Sequence, residues 1–544
     1  MLMKSKFFNN KATALCMFGI LLLVSIQTSN SERVFKAHRG LQYDKEGSAF
    51  GTQKNKFDFL AKAFPTPTGS GRTKLPKRLS RNVVVLKLVS TTKEQIEEII
   101  FKRKAGAVLI LIPKNVEKYP QKVLEEWKGI EQWLMTEKIP TSLYFAVTND
   151  ELEATYERLS GDANGQNEEF RIVSKVALPK KKIVPKLSNI QGWLSGASLS
   201  GEVDADTLGT VAIVAHYDSF GVAPGLAHGG DSNGSGVAAL LEIARLFSGL
   251  YGSDDAKAPY NIVFVLSAAG HINYSGSREW LANSDVQLLD SIEFALCIDS
   301  IGMGDKVFMH LSKPRKSKAI KKVLNAFSVA AKRVGVDFET VHKKINLVEP
   351  QLSWEHEQFA LRQIVSATVS RFATPSSDSF ARASIFDTPA SIDYSALNRN
   401  IRFISEALSV YMYEPVQRVS GTTMQTVIHQ ALDSDKNYVK AWLESFGRNA
   451  RGLLGDTDAG DSIIPDLQNG LGQYVEDTGL QSFTVEETDV TPYVFYGPLH
   501  VDMSIFLVKP VRFDVIFTAL TTTYLLLLHT YFRGFSSLTS LFKS

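Results

Sequence analysis

"AHYDSFGVAPGLAHGGDSNGSGVAALLEIARLF" (215–247) sets a His-x-Asp pair at the end of an apolar run, then a Gly- and Ser-rich turn, then an amphipathic stretch. The run "TVAIVAH" (210–216) reads as a buried strand. Apolar residues at 237, 240, 241, 244 and 247 recur at i, i+3, i+4 and predict a helix over 236–249. Strand, turn and helix together are one step of an α/β layer, and such layers carry their chemistry at the carboxyl ends of strands. An imidazole and a carboxylate at that position are donor types that a hydrolytic metal site uses. The fold class and the function both turn on what the rest of the chain adds.

Outward from this stretch the alternation continues. "NIVFVLSA" (261–268), "EFALCID" (293–299), "KVFMHLS" (306–312) and "IVSATVS" (364–370) read as strands, with helices near 275–283 and 315–333 and a helical stretch over 396–448. Upstream, "NVVVLKLVS" (82–90), "GAVLILIP" (106–113) and "SLYFAVT" (142–148) read as strands, with a helix over 91–105. Apolar strands separated by helices predict an α/β fold with a mainly parallel sheet covered by helices on both faces. Residues 64–78, 160–169 and 179–186 are rich in Pro, Gly and charge and read as exposed connections. Three polar clusters fall at predicted strand ends: His216 with Asp218, the turn "SAAGHINYSGS" (267–277), and Asp299.

Composition narrows the classes. The chain has 544 residues, 44% of them apolar, and 60 basic against 57 acidic side chains, so nothing global argues for a nucleic-acid partner. Of the two cysteines, Cys16 lies in the N-terminal apolar run and Cys297 in a predicted strand, so a processed chain has neither a disulfide nor a Cys-based zinc site. Lys4, Lys6 and Lys11 precede the apolar run 12–26 and a polar exit, which predicts a signal peptide over 1–30. Residues 515–532 contain no Asp, Glu, Lys or Arg and would cover roughly 27 Å as a helix, predicting a transmembrane helix within 511–533 and a cytosolic tail at 534–544. This topology is single-pass type I, with the body in the lumen.

The motifs "VAHYDSFGVAPG", "DSNGSGVAALLEIARLF", "INYSGSREWL" and "VHKKINLVEPQLSWEHEQFALR" (341–362) resemble the di-zinc aminopeptidase fold and, within it, the nicastrin/nicalin family. The resemblance is strong over about 200–410. It implies an N-terminal lumenal α/β region at 31–200, an aminopeptidase-like domain at 201–415 and a helical or irregular membrane-proximal region at 416–510. A working di-zinc site of this kind needs five ligands and a Glu general base. By resemblance His216 fills the first ligand position, with Asp218 behind it to orient the ring, and Asp299 fits the acidic-ligand position. Ser232 stands where the bridging Asp belongs, Gly270 and His271 stand for the Glu pair, and Ser379 in "SSDSF" (376–380) stands for the last His. The general base is therefore a glycine. A looser register brings His216, Asp231, His271 and Asp299 together as one N/O site for a single zinc.

Hence the residues predict a pseudo-peptidase with no catalytic residue, no cofactor and no metal, with His216 and Asp299 as vestigial positions and Asp231 and His271 as doubtful ones. The alternative is a metal-dependent aminopeptidase with an atypical single-zinc site. Two sequons, Asn233 and Asn273, are expected glycosylation sites in a lumenal body. His356 in "WEHEQF" reads as a surface or helix-packing histidine, and Cys297 as a buried hydrophobe. The resemblance further implies an endoplasmic reticulum membrane scaffold. It would be complexed with the lumenal Nodal modulator protein (NOMO) and a small multipass membrane protein. That assembly would assist multipass protein insertion at the translocon and modulate Nodal-type signalling or receptor assembly.

Overall fold

The computed structural model describes residues 32–40, 42–43, 49–50, 56–64, 76–160, 168–175, 186–198, 207–312, 317–348, 351–374, 382–420, 434–452, 463–485, 499–508 and 511–533. The predicted signal peptide, the tail 534–544 and Ser379 lie outside the described residues.

Two β-systems make up the body. The first uses β1 (Arg33–Arg39), β4 (Phe57–Ala63), β5 (Asn82–Lys87), β6 (Ala107–Ile112), β7 (Ser142–Val147), β8 (Phe170–Ser174) and β17 (His500–Leu507), with a short ribbon of β2 (Gln42–Tyr43) and β3 (Ala49–Phe50) beside it. These close into a barrel in the order β1-β17-β8-β4-β5-β6-β7. Val83, Val85, Leu109, Leu111, Met503 and Ile505 fill its interior. Their alternates Val84, Leu86, Val108 and Ile110 face outward into the main core. A strand buried on both faces reads as an unbroken apolar run, which is why β5 and β6 stand out in the sequence. Strands β1 and β4 alternate between buried and solvated faces and carry a weaker signal.

The second system is an eight-stranded sheet, in the order β14 (Asp337–His342), β13 (Lys306–Leu311), β15 (Ser366–Ser370), β12 (Ile292–Ile298), β10 (Thr210–His216), β11 (Asn261–Ser267), β9 (Lys186–Leu194) and β16 (Asp477–Thr484). Its centre is parallel, β11-β10-β12-β15. The expectation of a mainly parallel sheet needs correction beyond that centre: β11-β9, β9-β16 and β15-β13 are antiparallel, so the sheet is mixed. The stretch read as helical or irregular, 416–510, also supplies β16 to this sheet and β17 to the barrel. Along β10, Val211, Ile213 and Ala215 face a core shared with the helices Gly236–Tyr251, Lys318–Val334 and Tyr394–Ser420. Ala212 and Val214 face Trp280 and Phe359 on the other side, so both faces are covered by helices, as the sequence predicts.

A joint between the barrel and the sheet lies on the helix Gln121–Thr136. The Trp127 ring stands 5.7 Å from Phe386. Buried Glu131 accepts the Val222 and Ile385 N–H groups at 3.0 Å and the Ser384 hydroxyl at 2.6 Å. The last helix, Val511–Arg533, follows β17 directly, and side chains are described for its residues 515–530. Among the described residues no helix is long and apolar enough to cross a membrane, so the span expected within 511–533 is not found among them. Thr521, Thr522 and Thr523 each donate to the carbonyl four residues back, at 2.7–2.8 Å, and Val515, Ile516, Leu525 and Leu527 are exposed.

The Glu131 joint makes a pH prediction. Burial pushes this carboxyl up from the usual range to about 7, against the three hydrogen bonds it accepts. The folded chain then holds a proton that the unfolded chain releases, so this group's contribution falls as pH rises from its unfolded value through about 7. The full change is on the order of 3 kcal/mol. Thermal melts from pH 5 to 8 should therefore show wild type losing stability relative to Glu131→Gln as pH rises, with no further divergence above that window.

Candidate functional site

The parallel register brings three strand ends together. His216 pairs with Ser267, and Val214 with Cys297, so Asp299 lies level with His216 across β10 and β12. Both are buried. His216 Nδ1 stands 3.6 Å from Glu355 Oε2, while Glu355 Oε1 accepts the hydroxyls of Ser267 and Ser277 at 2.6 Å. Burial opposes the imidazolium, but the Glu355 contact and the charges of Asp299 and Asp218 outweigh it, and the His216 pKa is raised. Asp218 has a different role from the one expected. It accepts the N–H of Gly270 at 2.7 Å and that of His271 at 3.5 Å, and burial raises its pKa. Glu355, from the loop before the helix His356–Leu361, is the carboxylate that faces the His216 ring.

Asp299 is bound by Arg382. The two form a buried ion pair through Nη1, and the Ser300 hydroxyl donates to the other carboxylate oxygen at 2.7 Å. Burial alone would raise the Asp299 pKa; the guanidinium, with the neighbouring histidines and Ser300, reverses this and lowers it. Arg382 Nη2 also donates to the Tyr274 hydroxyl at 2.6 Å and the Ser353 carbonyl at 2.7 Å. Its guanidinium lies 4.4 Å from the Trp354 ring centre, and Trp354 stacks on His310 at 4.0 Å. A second arginine repeats the pattern. Arg371 Nε pairs with Asp231, which also accepts the Gly302 N–H at 2.7 Å and the Ser235 hydroxyl at 3.0 Å. Arg451 donates to the carbonyls of Tyr217 and His228 at 2.8 and 2.9 Å and holds the loop between them, and burial pulls its pKa down to about 10.

These contacts test the expected ligands. The four-residue site of His216, Asp231, His271 and Asp299 does not form: Asp231 and Asp299 are each engaged by an arginine. No group of three or more His, Cys, Asp or Glu among the described residues is placed to hold a metal ion. His271 meets the His216 ring edge-on at 5.3 Å, its Nε2 lacks a partner, and burial, His216 and Arg382 hold its pKa well below the usual value. Ser232, at the bridging position, donates its N–H to Asp387 at 2.7 Å, and its buried hydroxyl has no partner. At position 270 an added Cβ would stand 2.2 Å from His216 Cγ, so the imidazole fills the space where a general-base side chain would begin. The donor set present does not fit a di-zinc centre.

The glycosylation expectation is corrected as well. Asn233 is fully buried, and its side chain donates to the Ile298 carbonyl at 2.9 Å and the His216 carbonyl at 3.2 Å while accepting the Ser300 N–H at 3.1 Å. Asn273 is also buried, and its Oδ1 accepts the Leu352 N–H at 2.8 Å. A glycan on either would displace the core contacts these side chains make. His356 is a buried structural histidine. It lies 2.8 Å from the Thr368 hydroxyl and 2.9 Å from that of Ser312, and burial pulls its pKa down to about 3. Cys297 is buried in the sheet and its thiol pKa is pushed well up by burial, as expected of a small hydrophobe. Sequence reasoning missed Glu355, Arg371 and Arg382. The available signal was one of charge: carboxylates kept at strand ends without metals require basic partners in the loops that follow.

Residues 197–454 match Peptidase family M28. A Canis lupus familiaris protein named BOS complex subunit NCLN is 32% identical over 96% of this chain and 93% of its own length. A Caenorhabditis elegans protein named Nicalin is 27% identical over 95% of this chain and 94% of its own. The crystal structure of the gamma-secretase component Nicastrin superposes with a TM-score of 0.57 at 11% identity, covering 88% of this chain and 99% of that one, which is a likeness of fold.

Two substitutions probe the pocket. Arg382→Ala strands the Asp299 carboxylate without a partner and should cost about 3–5 kcal/mol, with much of the loss recovered in the Arg382→Ala/Asp299→Asn pair. Gly270→Ala should cost roughly 1–3 kcal/mol through overpacking against His216, relieved when His216→Ala is added. Denaturant unfolding of these four variants and of the Asp299→Asn and His216→Ala single variants measures both cycles, and additive losses would contradict the assigned contacts.

Proposed function

This chain belongs to the family of nicalin and the BOS complex subunit NCLN, and on that premise we propose that it is a non-catalytic subunit of a membrane protein complex. The observation that carries this reading is the buried ion pair of Arg382 with Asp299, which engages the acidic-ligand position from within the chain. Among the described residues the single-zinc reading lacks its ligands, because Asp231 and Asp299 are each held by an arginine. The name of the Canis lupus familiaris relative speaks of a BOS complex, and membership of such a complex is the role extended here to this chain.

In this proposal the chain is a single-pass type I protein of the endoplasmic reticulum membrane. Residues 1–30 are the signal peptide, 31–510 the lumenal body, 511–533 the transmembrane helix and 534–544 the cytosolic tail. The uncharged run 515–532 in the sequence supports the span. The partners are a NOMO-like lumenal protein and a small multipass membrane protein. With them the chain assists multipass protein insertion at the translocon and modulates Nodal-type signalling or receptor assembly. These assignments rest on the family resemblance.

Two measurements test the proposal. Protease added to sealed microsomes should remove only the tail; digestion of the body would refute the topology. Affinity purification of the full chain from mildly solubilised membranes should recover both partners in near-stoichiometric amounts. Exchanging 511–534 for an unrelated apolar span should then lower recovery of the multipass partner several-fold, because helix contacts in lipid depend on side-chain shape. Absence of both partners from the wild-type preparation would refute complex membership.

A further inference from the structure

The segment that follows the sheet edge is described at 343–348 and again at 351–353, where Ser353 meets Arg382 of the pocket. At its start the Lys343 N–H donates to the Leu311 carbonyl at 3.0 Å, just past the β13-β14 pairing. At its end the Leu352 N–H donates to Asn273 Oδ1 at 2.8 Å, and the Ser353 N–H to Glu357 Oε2 at 2.8 Å. The Ser353 carbonyl accepts Arg382 Nη2 at 2.7 Å and the Tyr274 hydroxyl at 3.3 Å. The groups at the former peptidase centre therefore also hold the root of this loop. At the tip, the Val348 N–H donates to Asn346 Oδ1 at 3.2 Å, and Leu347 and Val348 are 80% and 90% exposed. They are the two most exposed large apolar side chains among the described residues. Lys343 and Lys344, at the root of the same loop, are exposed too.

We propose that residues 343–348 are a docking knob through which this chain binds a partner protein presenting an apolar pocket rimmed by carboxylates. The proposal rests on the reading of this chain as a complex subunit. Scattered exposed apolar residues are ordinary, but Leu347 and Val348 are adjacent and follow closely on Lys343, which is anchored to β13. Fixing a loop before it binds removes part of the ordering cost of association. An apolar centre with a charged rim is the common anatomy of a specific protein interface, and two lysines call for an acidic rim opposite. Lipid headgroup recognition commonly draws on about four to eight clustered basic residues. The described tip offers Lys343 and Lys344 and no aromatic side chain, so a protein surface is the better-matched occupant.

The test is photo-crosslinking from position 347 in the full-length chain in its membrane, together with the variants Leu347→Ser/Val348→Ser and Lys343→Glu/Lys344→Glu. The crosslink should map to one protein of the complex, at apolar residues flanked by Asp or Glu. Each double variant should lower recovery of that protein at least tenfold while thermal melting stays unchanged. Exchange of the partner's flanking acids for lysine should restore recovery with the Lys343→Glu/Lys344→Glu chain. Crosslinks to lipid alone, crosslinks to no protein, or full recovery with both variants would overturn the knob. If wild type recovers its partners while the variants lose nothing, the knob fails and complex membership stands; if wild type recovers no partner, both fail.

Discussion

A carboxylate buried at a strand end must have its charge answered, and the Asp299–Arg382 pair is how this protein answers it. In a hydrolytic site of the same architecture bound metal ions supply that charge. Here each acidic group of the pocket has an internal partner instead. Arg382 holds Asp299 and Arg371 holds Asp231, Asp218 accepts backbone N–H groups, and Glu355 takes two serine hydroxyls beside His216. Removing one member of such a pair strands a buried charge, whereas replacing both is far less costly. That asymmetry gives each pair a structural reason to stay together.

The pocket and its surroundings share one network. Arg382 and Tyr274 reach the root of the 343–353 loop through the Ser353 carbonyl. Two residues beyond Arg382, Ser384 begins the short segment that binds Glu131 on the helix of the barrel region. Polar contacts therefore run from the Asp299–Arg382 pair towards the sheet edge on one side and the barrel on the other.

Sequence alone located the central sheet well. β10 and β11 are buried along their whole length and apolar between their first and last residues, and the helix Gly236–Tyr251 has a regular stripe. A strand buried on both faces cannot be mistaken for a solvated segment. The barrel was harder to read, because β1, β4 and β17 alternate or mix their faces and because β17 lies far from its partners in the chain. In the pocket, His216 and Asp299 at neighbouring strand ends were legible from the sequence. The identity of the replacement charges was not. Arg371 and Arg382 flank a Ser-rich run with no motif of its own, and pairing across 140 and 83 residues leaves no local pattern. Asn233 misled for the same reason: a sequon is a local pattern, and the three hydrogen bonds that bury its side chain are long-range.

Metal content measured together with hydrolysis is the most direct test of a pocket filled by its own side chains. The full chain, purified without chelator and supplied with zinc, should contain well under one zinc per molecule by elemental analysis and release no amino acid from peptide substrates. Stoichiometric zinc, lost together with a peptidase activity on His216→Ala, would contradict it.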